Sequence, residues 1–252
     1  YQWKRGGVDI SGATGGTYVL VQADVGSIIT VKAQYTDDYG ETESVSSEPT
    51  ITVTNVNDAG SVIIAGTAKQ NKTLVATVTD PDGLGGLLTY PITYRWYRKN
   101  PTTVCTTASP LCGYGQISSG DSDKLVLTQA DVGHFIKVVA VYEDAHGTAE
   151  APISQATSEV INVNDAPTGK PKISGTPKVG QTLQAELHNL ADADGIGSII
   201  YKWYRIDTEN DQEEFIHQGQ SYVVKTGDLH HDLQIAAQYT DDGGTSESPR
   251  SM

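Results

Sequence analysis

Hydrophobic and polar residues alternate over short stretches of this chain. Because side chains of a strand point alternately to its two faces, Val138, Ala140 and Tyr142 fall on one face and Val139 and Val141 on the other. We find no long segment with the 3.6-residue period of an amphipathic helix. Thr, Val, Ile and Ser are plentiful, and 26 glycines provide turns. The pattern predicts an all-β protein built from short strands.

The chain repeats one plan three times. Each copy has a strand that carries a tryptophan among other aromatic residues: Tyr1–Arg5, Tyr94–Arg98 and Tyr201–Arg205. Asp58 and Asp165 are 107 positions apart, and so are Trp96 and Trp203. A repeat of about 100 residues with about seven short strands is typical of an immunoglobulin-like β-sandwich. The strand position of the tryptophans predicts that they pack in the sandwich cores rather than bind sugars.

Three further segments recur. The first is an acidic turn, at Ala23–Gly26, at Ala130–Gly133 and, in altered form, at Gly227–His230. The second is an alternating strand that ends in acidic residues, at Val31–Asp38, Val138–Asp144 and Ile235–Asp242. The third is a linker after each of the first two copies, at Asn55–Ala59 and Asn162–Pro167. We expect Asp24 and Asp131, in the acidic turns, to accept hydrogen bonds from backbone amides.

The repeats predict three domains. Residues 1–57 form a partial repeat without its opening strands, 58–164 a repeat with a loop inserted near 100–121, and 165–252 a repeat whose last strand is incomplete. In the third repeat we predict strands at Ile173–Gly175, Thr182–Leu187, Tyr201–Arg205 and Ile235–Tyr239. Tandem copies joined by short linkers predict an extended rod. The strand-like opening at Tyr1 predicts a fragment of a longer protein.

Charge narrows the range of partners. The chain has 31 acidic and 17 basic residues, a net charge of −14. We therefore expect neither nucleic-acid binding, which needs clustered Lys and Arg, nor docking on anionic membranes. The sequence lacks a run of about 20 apolar residues, so we expect no membrane insertion. The acidic surplus is compatible with cation binding.

The linker Asn164-Asp165-Ala166-Pro167 and the loop Asp192-Ala193-Asp194-Gly195 carry a family resemblance. With the tryptophan strand and the Ala-Asp-Val-Gly turn, they resemble the tandem immunoglobulin- or cadherin-like repeats of very large bacterial surface adhesins of the RTX kind. The resemblance covers essentially the whole chain. It implies an extracellular, cell-surface location and a role as spacer beside neighbouring repeats, within a protein that contacts a cell-surface or matrix ligand. Calcium at the domain junctions is implied as well.

The acidic residues themselves indicate the same ion. Three acidic pieces recur in two repeats: the linker, the loop between the second and third strands, and the last hairpin loop. In an immunoglobulin sandwich all three meet at the end where the chain enters, and Ca²⁺ prefers such hard oxygen ligands. The alternative is that each piece is only a turn, since Asp and Gly favour turns. The candidate calcium ligands are Asn57, Asp58, Asp80, Asp82, Glu143 and Asp144 for one junction and Asn164, Asp165, Asp192, Asp194, Asp241 and Asp242 for the other.

Cys105 and Cys112 both lie in the inserted loop of the second repeat. In an exported chain this predicts a disulfide that closes a small loop. Giant bacterial adhesins usually lack cysteine, so the pair departs from the family pattern. The loop also carries Tyr114, a candidate ligand contact, and the alternative is a decorated strand connection.

We find no catalytic motif of the serine-hydrolase, zinc-protease or phosphate-loop kind, and we expect no enzyme. Paired carboxylates are a glycosidase feature, but a catalytic pair has no reason to recur once per repeat. Two alternatives to the spacer stay open. One is a glycan- or protein-binding module that uses the cysteine-closed loop. The other is a subunit of a surface filament or layer that self-assembles by strand exchange.

Overall fold

The computed structural model describes residues 1–85, 91–99 and 108–252. Its named strands form five sheets, and the three four-stranded sheets are antiparallel throughout, which confirms the predicted all-β class. The chain packs as two compact units. The first unit comprises 1–67, 73–125 and 134–158, and the second comprises 68–72, 126–133 and 159–252. The boundaries of the three predicted domains remain predictions.

The first unit contains three sheets, with only Val126 at the end of one strand assigned to the second unit. The strand orders are β2-β1-β3-β4, β5-β6-β9 and β11-β10-β7-β8. The strands are β1 (Gln2–Arg5), β2 (Val8–Asp9), β3 (Ile29–Thr36), β4 (Thr42–Ser46), β5 (Ser61–Ala65), β6 (Thr73–Thr79), β7 (Thr93–Lys99), β8 (Tyr114–Gly120), β9 (Lys124–Val126), β10 (Ile136–Glu143) and β11 (Ala149–Glu150).

The second unit contains two sheets, ordered β12-β13-β16 and β15-β14-β17-β18. Its strands are β12 (Lys172–Ser174), β13 (Thr182–Glu186), β14 (Ile200–Asp207), β15 (Glu213–Gln218), β16 (Ser221–Val223), β17 (His231–Thr240) and β18 (Ser246–Glu247). The four strands predicted for the third repeat are therefore present, and β17 begins four residues earlier than predicted. No helix in the described ranges is long and apolar enough to cross a membrane.

The tryptophan strands β7 and β14 lie at the centre of the cores. Trp96 is 1% exposed and Trp203 is fully buried. Around Trp203 pack Leu183, Ala185, Tyr222, Val224 and Ile235. Trp3 differs, because it is only half-buried. Its ring stacks on Tyr18 at 5.7 Å, and its Nε1 donates to the Gly15 carbonyl. The prediction of core packing thus holds for the second and third repeats and is wrong for the first.

The acidic turns hold buried carboxylates, as predicted. Asp24 accepts a hydrogen bond from the backbone amide of Val21 at 2.8 Å, and Asp131 accepts one from Thr128 at 2.9 Å. Asp228 repeats the arrangement in the third repeat with the amide of Lys225 at 2.7 Å. The role of these residues is to hold the turn that leads into the long central strand.

Asp228 is also ion-paired. Arg205 donates to it from Nη2 at 2.8 Å, and the Tyr222 hydroxyl donates at 2.8 Å. Burial alone raises the pKa of the Asp228 carboxyl, but the hydrogen bonds from Lys225, Tyr222 and Arg205 outweigh it and lower the pKa. Burial and the bond to Asp228 together raise the pKa of Tyr222 to about 12.

The burial of Trp203 predicts a large loss of stability in Trp203→Ala. Removing a fully buried tryptophan side chain costs about 3–5 kcal/mol, because the cavity cannot close completely. The matched control is Phe215→Ala, since Phe215 is 53% exposed and makes an edge contact with Tyr204. We expect the control to lose less than about 1.5 kcal/mol in urea unfolding. Equal losses in the two variants would contradict the assignment of Trp203 to the core.

The depressed pKa of Asp228 predicts a pH-dependent effect of Asp228→Asn. A carboxyl whose folded-state pKa lies below its ordinary value of 3.8 stabilises the fold above that value. That stabilisation is lost as pH falls through the folded-state pKa. We expect the variant to be less stable than wild type between about pH 5 and 8, where carboxyl groups are charged. The difference should shrink below pH 3.8. Asp121→Asn, on an exposed residue, is the control and should show no such trend.

Candidate functional site

Site one, in the first unit, joins the linker to the loop that follows β6. The backbone amide of Asp58 donates to Asp82 Oδ2 at 2.6 Å. The amide of Asp82 donates to Asp80 Oδ1 at 2.9 Å, and the Tyr142 hydroxyl donates to Asp80 Oδ2 at 2.6 Å. Gly60 lies so close to this pair that a Cβ there would overlap the Tyr142 hydroxyl and the Asp80 carboxylate. The linker is therefore held by a carboxylate of the loop.

The hairpin loop after β10 completes site one. Asp144 is 3% exposed, and its Oδ1 accepts hydrogen bonds from the amides of His146 and Thr148, both at 2.8 Å. The Thr148 amide lowers the pKa of Asp144 most; burial opposes it, and the His146 amide reinforces it. The amide of Ala145 donates to the Gly83 carbonyl at 3.1 Å. The three acidic pieces predicted to meet here do meet.

Site two, in the second unit, repeats this network with equivalent residues. The amide of Asp165 donates to Asp194 Oδ2 at 2.6 Å, and the amide of Asp194 donates to Asp192 Oδ1 at 2.9 Å. The Tyr239 hydroxyl donates to Asp192 Oδ2 at 2.6 Å. In the hairpin loop, Asp241 Oδ1 accepts from the Thr245 amide at 2.7 Å. The acidic segments of the two repeats thus fold into one arrangement.

Glutamine side chains distinguish the two sites. In site two, Gln129 Nε2 donates to Asp194 Oδ1 at 2.9 Å, and Gln70 Nε2 donates to Asp165 Oδ2 at 2.7 Å. In site one, Gln22 holds the place of Gln129 in the repeat but donates to Asn55 Oδ1 at 3.0 Å. The equivalent oxygen of Asp82 receives no such amide.

Several buried oxygens of these sites have no hydrogen-bond partner among the described residues. In site one they are Asp82 Oδ1 and Asp144 Oδ2; in site two they are Asp241 Oδ2, Asn162 Oδ1 and Gln129 Oε1. The three aspartates are 3–5% exposed. A buried carboxylate oxygen without a donor is costly, because it loses its hydration without compensation. Such oxygens are suited to a hard cation.

The twelve candidate ligands do not contribute equally. Six of them are buried or half-buried and belong to the hydrogen-bond networks: Asp80, Asp82, Asp144, Asp192, Asp194 and Asp241. Half-buried Asp165 joins them through both its amide and its carboxylate. Asp58 contributes its backbone amide, while its side chain is exposed. Glu143 and Asp242 are exposed.

The two linker asparagines have a different partner from the one expected. Asn57 Nδ2 donates to Glu150 Oε1 at 2.8 Å, and Asn164 Nδ2 donates to Glu247 Oε1 at 3.1 Å. These bonds tie the linker to the strand after the hairpin loop. Their role in the structure is therefore to position the linker.

Four further residues of the sites were not predicted: Tyr142, Tyr239, Gln70 and Gln129. The tyrosines recur at one position of the alternating strand, two residues before the hairpin aspartate, and that recurrence was a readable signal. Gln129 recurs as Gln22 before the turn aspartate. Nothing in the sequence marks Gln70, because its bonds to Asp165 and to the Val163 amide span more than 90 positions.

The described residues contain no group of three or more His, Cys, Asp or Glu side chains arranged to hold a metal ion. Calcium binding at either site is therefore a matter of proposal. A ligand set here needs the unpartnered carboxylate oxygens together with amide or backbone carbonyl oxygens.

The inserted loop of the second repeat is described only in part. Cys112 is disulfide-bonded, whereas Cys105 lies outside the described residues. Tyr114 begins β8, is half-buried and packs under Lys137, whose Nζ lies 5.2 Å from its ring centre. Burial raises the pKa of Tyr114. Ligand binding by this loop stays a prediction.

Comparison with known proteins adds two solved structures. No protein-family model matches the chain, and no curated protein matches it in sequence. One structural match is a Ca²⁺-stabilized adhesin that helps an Antarctic bacterium reach out and bind ice, at 13% identity and a TM-score of 0.30. The match covers 99% of this chain and 62% of the adhesin chain. Another is a crystal structure of titin domains, at 13% identity and a TM-score of 0.25, covering 100% of this chain and 87% of that one.

The hydrogen bond between Tyr239 and Asp192 predicts a measurable cost for Tyr239→Phe. The change leaves a carboxylate oxygen of site two without its donor, and bonds to charged groups are worth about 1.5–3 kcal/mol. Tyr35→Phe is the matched control, because Tyr35 is 50% exposed and also donates to a carboxylate, that of Glu43. Urea unfolding should show a loss in the first variant and a change within about 0.5 kcal/mol in the second. A Tyr239→Phe variant as stable as wild type would mean that the Asp192 bond does not hold the site.

Proposed function

We propose that this chain is a non-enzymatic spacer segment of an extracellular bacterial surface adhesin, stiffened by calcium at sites one and two. One observation carries the proposal. The same network joins a linker amide to a buried aspartate twice, and each time it leaves buried carboxylate oxygens without a donor. A spacer needs this kind of repeated, identical junction.

The chemistry of the donors fits calcium. Ca²⁺ takes about six to eight oxygen ligands from carboxylates, carbonyls and water. In site one, Asp82 and Asp144 each present an unpartnered oxygen, and in site two Asp241, Asn162 and Gln129 do so. These residues would hold the ion, and the ion would supply positive charge to carboxylates that are already out of water. Since each site gathers aspartates from separate segments, the charge would also relieve their mutual repulsion.

The two sites differ in how far they depend on the ion. In site two the Gln129 amide already donates to Asp194, whereas the matching oxygen of Asp82 in site one has no donor. We therefore expect calcium removal to loosen site one more than site two. The linker amides of Asp58 and Asp165 then become free to leave their carboxylates, and the junctions bend.

The recurrence of the sites supports a structural role over catalysis. Asp80 and Asp192 each have both oxygens occupied, by an amide and by a tyrosine hydroxyl. A carboxylate so engaged is unavailable as a general base or nucleophile. The localisation outside the cell and the family assignment rest on the resemblance of the repeats, with the disulfide at Cys112 in agreement with an oxidising compartment.

Calcium should raise the thermal unfolding midpoint of the chain, and small-angle scattering should show a longer, stiffer particle with calcium than with EDTA. An ion at about 100 times its dissociation constant stabilises the folded state by about 2.7 kcal/mol. The double variant Asp82→Asn, Asp144→Asn should remove the strongest binding step in calorimetry, and Asp241→Asn a weaker one. Magnesium should not substitute, because it requires near-octahedral geometry.

Asp121→Asn is the control for the loss of a carboxylate, since Asp121 is exposed and belongs to neither site. It should bind calcium as wild type does. If the double variant kept the calcium-dependent shift in midpoint and length, site one would be only a pair of turns, and the proposal would fail.

A further inference from the structure

Three cationic side chains share the outer face of the sheet β11-β10-β7-β8. Trp96 of β7 is buried in the core, so Arg95 and Tyr97 on either side of it point outward. Lys99 lies two residues further along β7 and points the same way. Lys137 of β10 is paired with Tyr97, and paired residues of an antiparallel sheet lie on one face. We call the surface formed by Arg95, Lys99 and Lys137 the cationic face.

Aromatic rings hold both lysines of the cationic face in place. Lys99 Nζ lies 5.4 Å from the centre of the Phe135 ring, and Lys137 Nζ lies 5.2 Å from that of Tyr114. Lys137 Nζ also donates to the Pro110 carbonyl at 2.8 Å. Such contacts restrict the long, flexible lysine side chains. An ammonium group that is already ordered loses less conformational entropy when it binds a partner.

No carboxylate neutralises the cationic face. Within the described ranges, Arg95, Lys99 and Lys137 make no ion pair. Residues 100–107, which follow β7 in the chain, include neither Asp nor Glu. The face therefore carries three positive charges in a chain whose net charge is −14.

The equivalent faces of the other two repeats are neutralised by acids. In the first repeat, Lys4 of β1 pairs with Asp9 of β2 at 2.6 Å. In the third repeat, Arg250 lies over the Tyr204 ring, 4.5 Å from its centre, and pairs with Glu213 of β15. Since the same sheet face has paired charges twice, the unpaired charges of the second repeat favour an external anion.

The spacing of the cations indicates an extended ligand. Arg95 and Lys99 are four residues apart, about 13 Å along β7, and Lys137 lies on the next strand, about 5 Å to the side. Tyr97 lies between them and donates from its hydroxyl to Gln116 Oε1 at 3.3 Å, so Gln116 Nε2 is a further donor toward the face. Separate cations around an aromatic ring suit a linear ligand with repeated anionic groups better than one compact anion.

We propose that the cationic face binds an acidic polysaccharide, a linear chain of sugars that carry carboxylates. Arg95, Lys99 and Lys137 pair with successive carboxylates, and the Tyr97 ring lies against the apolar face of a sugar between them. The charge of −14 disfavours a nucleic acid, with its closely spaced phosphates, and a second copy of this chain. The binding goes beyond the spacer role, and it involves no residue of site one or site two.

The test measures binding of the whole chain to a fluorescent oligogalacturonate, which has one carboxylate on each sugar, by fluorescence anisotropy. The buffer contains no calcium, because calcium could bridge carboxylates of the chain and the ligand. We expect saturable binding that weakens as salt rises. The methyl-esterified oligosaccharide, with the same rings but no charge, should not bind. The triple variant Arg95→Gln, Lys99→Gln, Lys137→Gln should weaken binding at least about tenfold.

The matched control is the triple variant Lys4→Gln, Lys32→Gln, Lys202→Gln. It removes the same amount of charge from the outer faces of the first and third repeats. It should bind oligogalacturonate as wild type does. Thermal unfolding should show that both triple variants stay folded, because all six side chains are exposed or half-buried.

The Tyr97 ring separates a sugar ligand from an acidic peptide. Tyr97→Leu should weaken binding of oligogalacturonate several-fold and leave the weaker binding of poly-glutamate unchanged. No saturable binding of oligogalacturonate, equal affinity for poly-glutamate, or equal losses in the two triple variants would each overturn the proposal. So would a particle mass in scattering that rises with protein concentration in wild type alone, because it would assign the face to a second copy of this chain.

Discussion

The arrangement of both sites depends on one interaction: a linker amide that donates to a buried aspartate. Asp58 makes this bond with Asp82 and Asp165 makes it with Asp194, each at 2.6 Å. A carboxylate out of water must collect donors, and a backbone amide is a donor that no side-chain rotation can withdraw. Each linker is therefore held at a fixed position on its repeat. The other contacts of the sites, from tyrosine, glutamine and asparagine, hold this bond in place.

The same burial creates the demand for a cation. One carboxylate oxygen accepts hydrogen bonds and the other has no donor in each of three aspartates: Asp82, Asp144 and Asp241. Buried polar groups in folded proteins nearly always have partners, so an unpartnered carboxylate oxygen that recurs in two equivalent places indicates an additional ligand. Calcium is the ligand that we propose for both sites. In site two, glutamine amides donate to two of the carboxylates and so replace part of the contribution of an ion. The two sites should therefore respond differently to the removal of calcium.

Much of the fold could be predicted from the sequence, because its signals are local. The alternation of hydrophobic and polar residues predicted the strands, and the recurrence of the tryptophan segment predicted the repeats. The convergence of the acidic pieces followed from sandwich topology. The half-buried position of Trp3 was not predicted, because its local sequence is similar to that of the other tryptophan strands but lies in a repeat with one four-stranded sheet. The hydrogen bonds of Asn57 and Asn164 could not be predicted either, since their glutamate partners are more than 80 positions away.

The amide protons of Asp58 and Asp165 report directly on whether Asp82 and Asp194 hold the linkers. Nuclear magnetic resonance can follow their hydrogen exchange in the intact chain, with calcium and with EDTA. We expect slow exchange at both amides in EDTA, and calcium should slow it further, more at Asp58 than at Asp165. Exchange at the rate of an unstructured chain in both conditions would show that the linker is not held by Asp82 and Asp194.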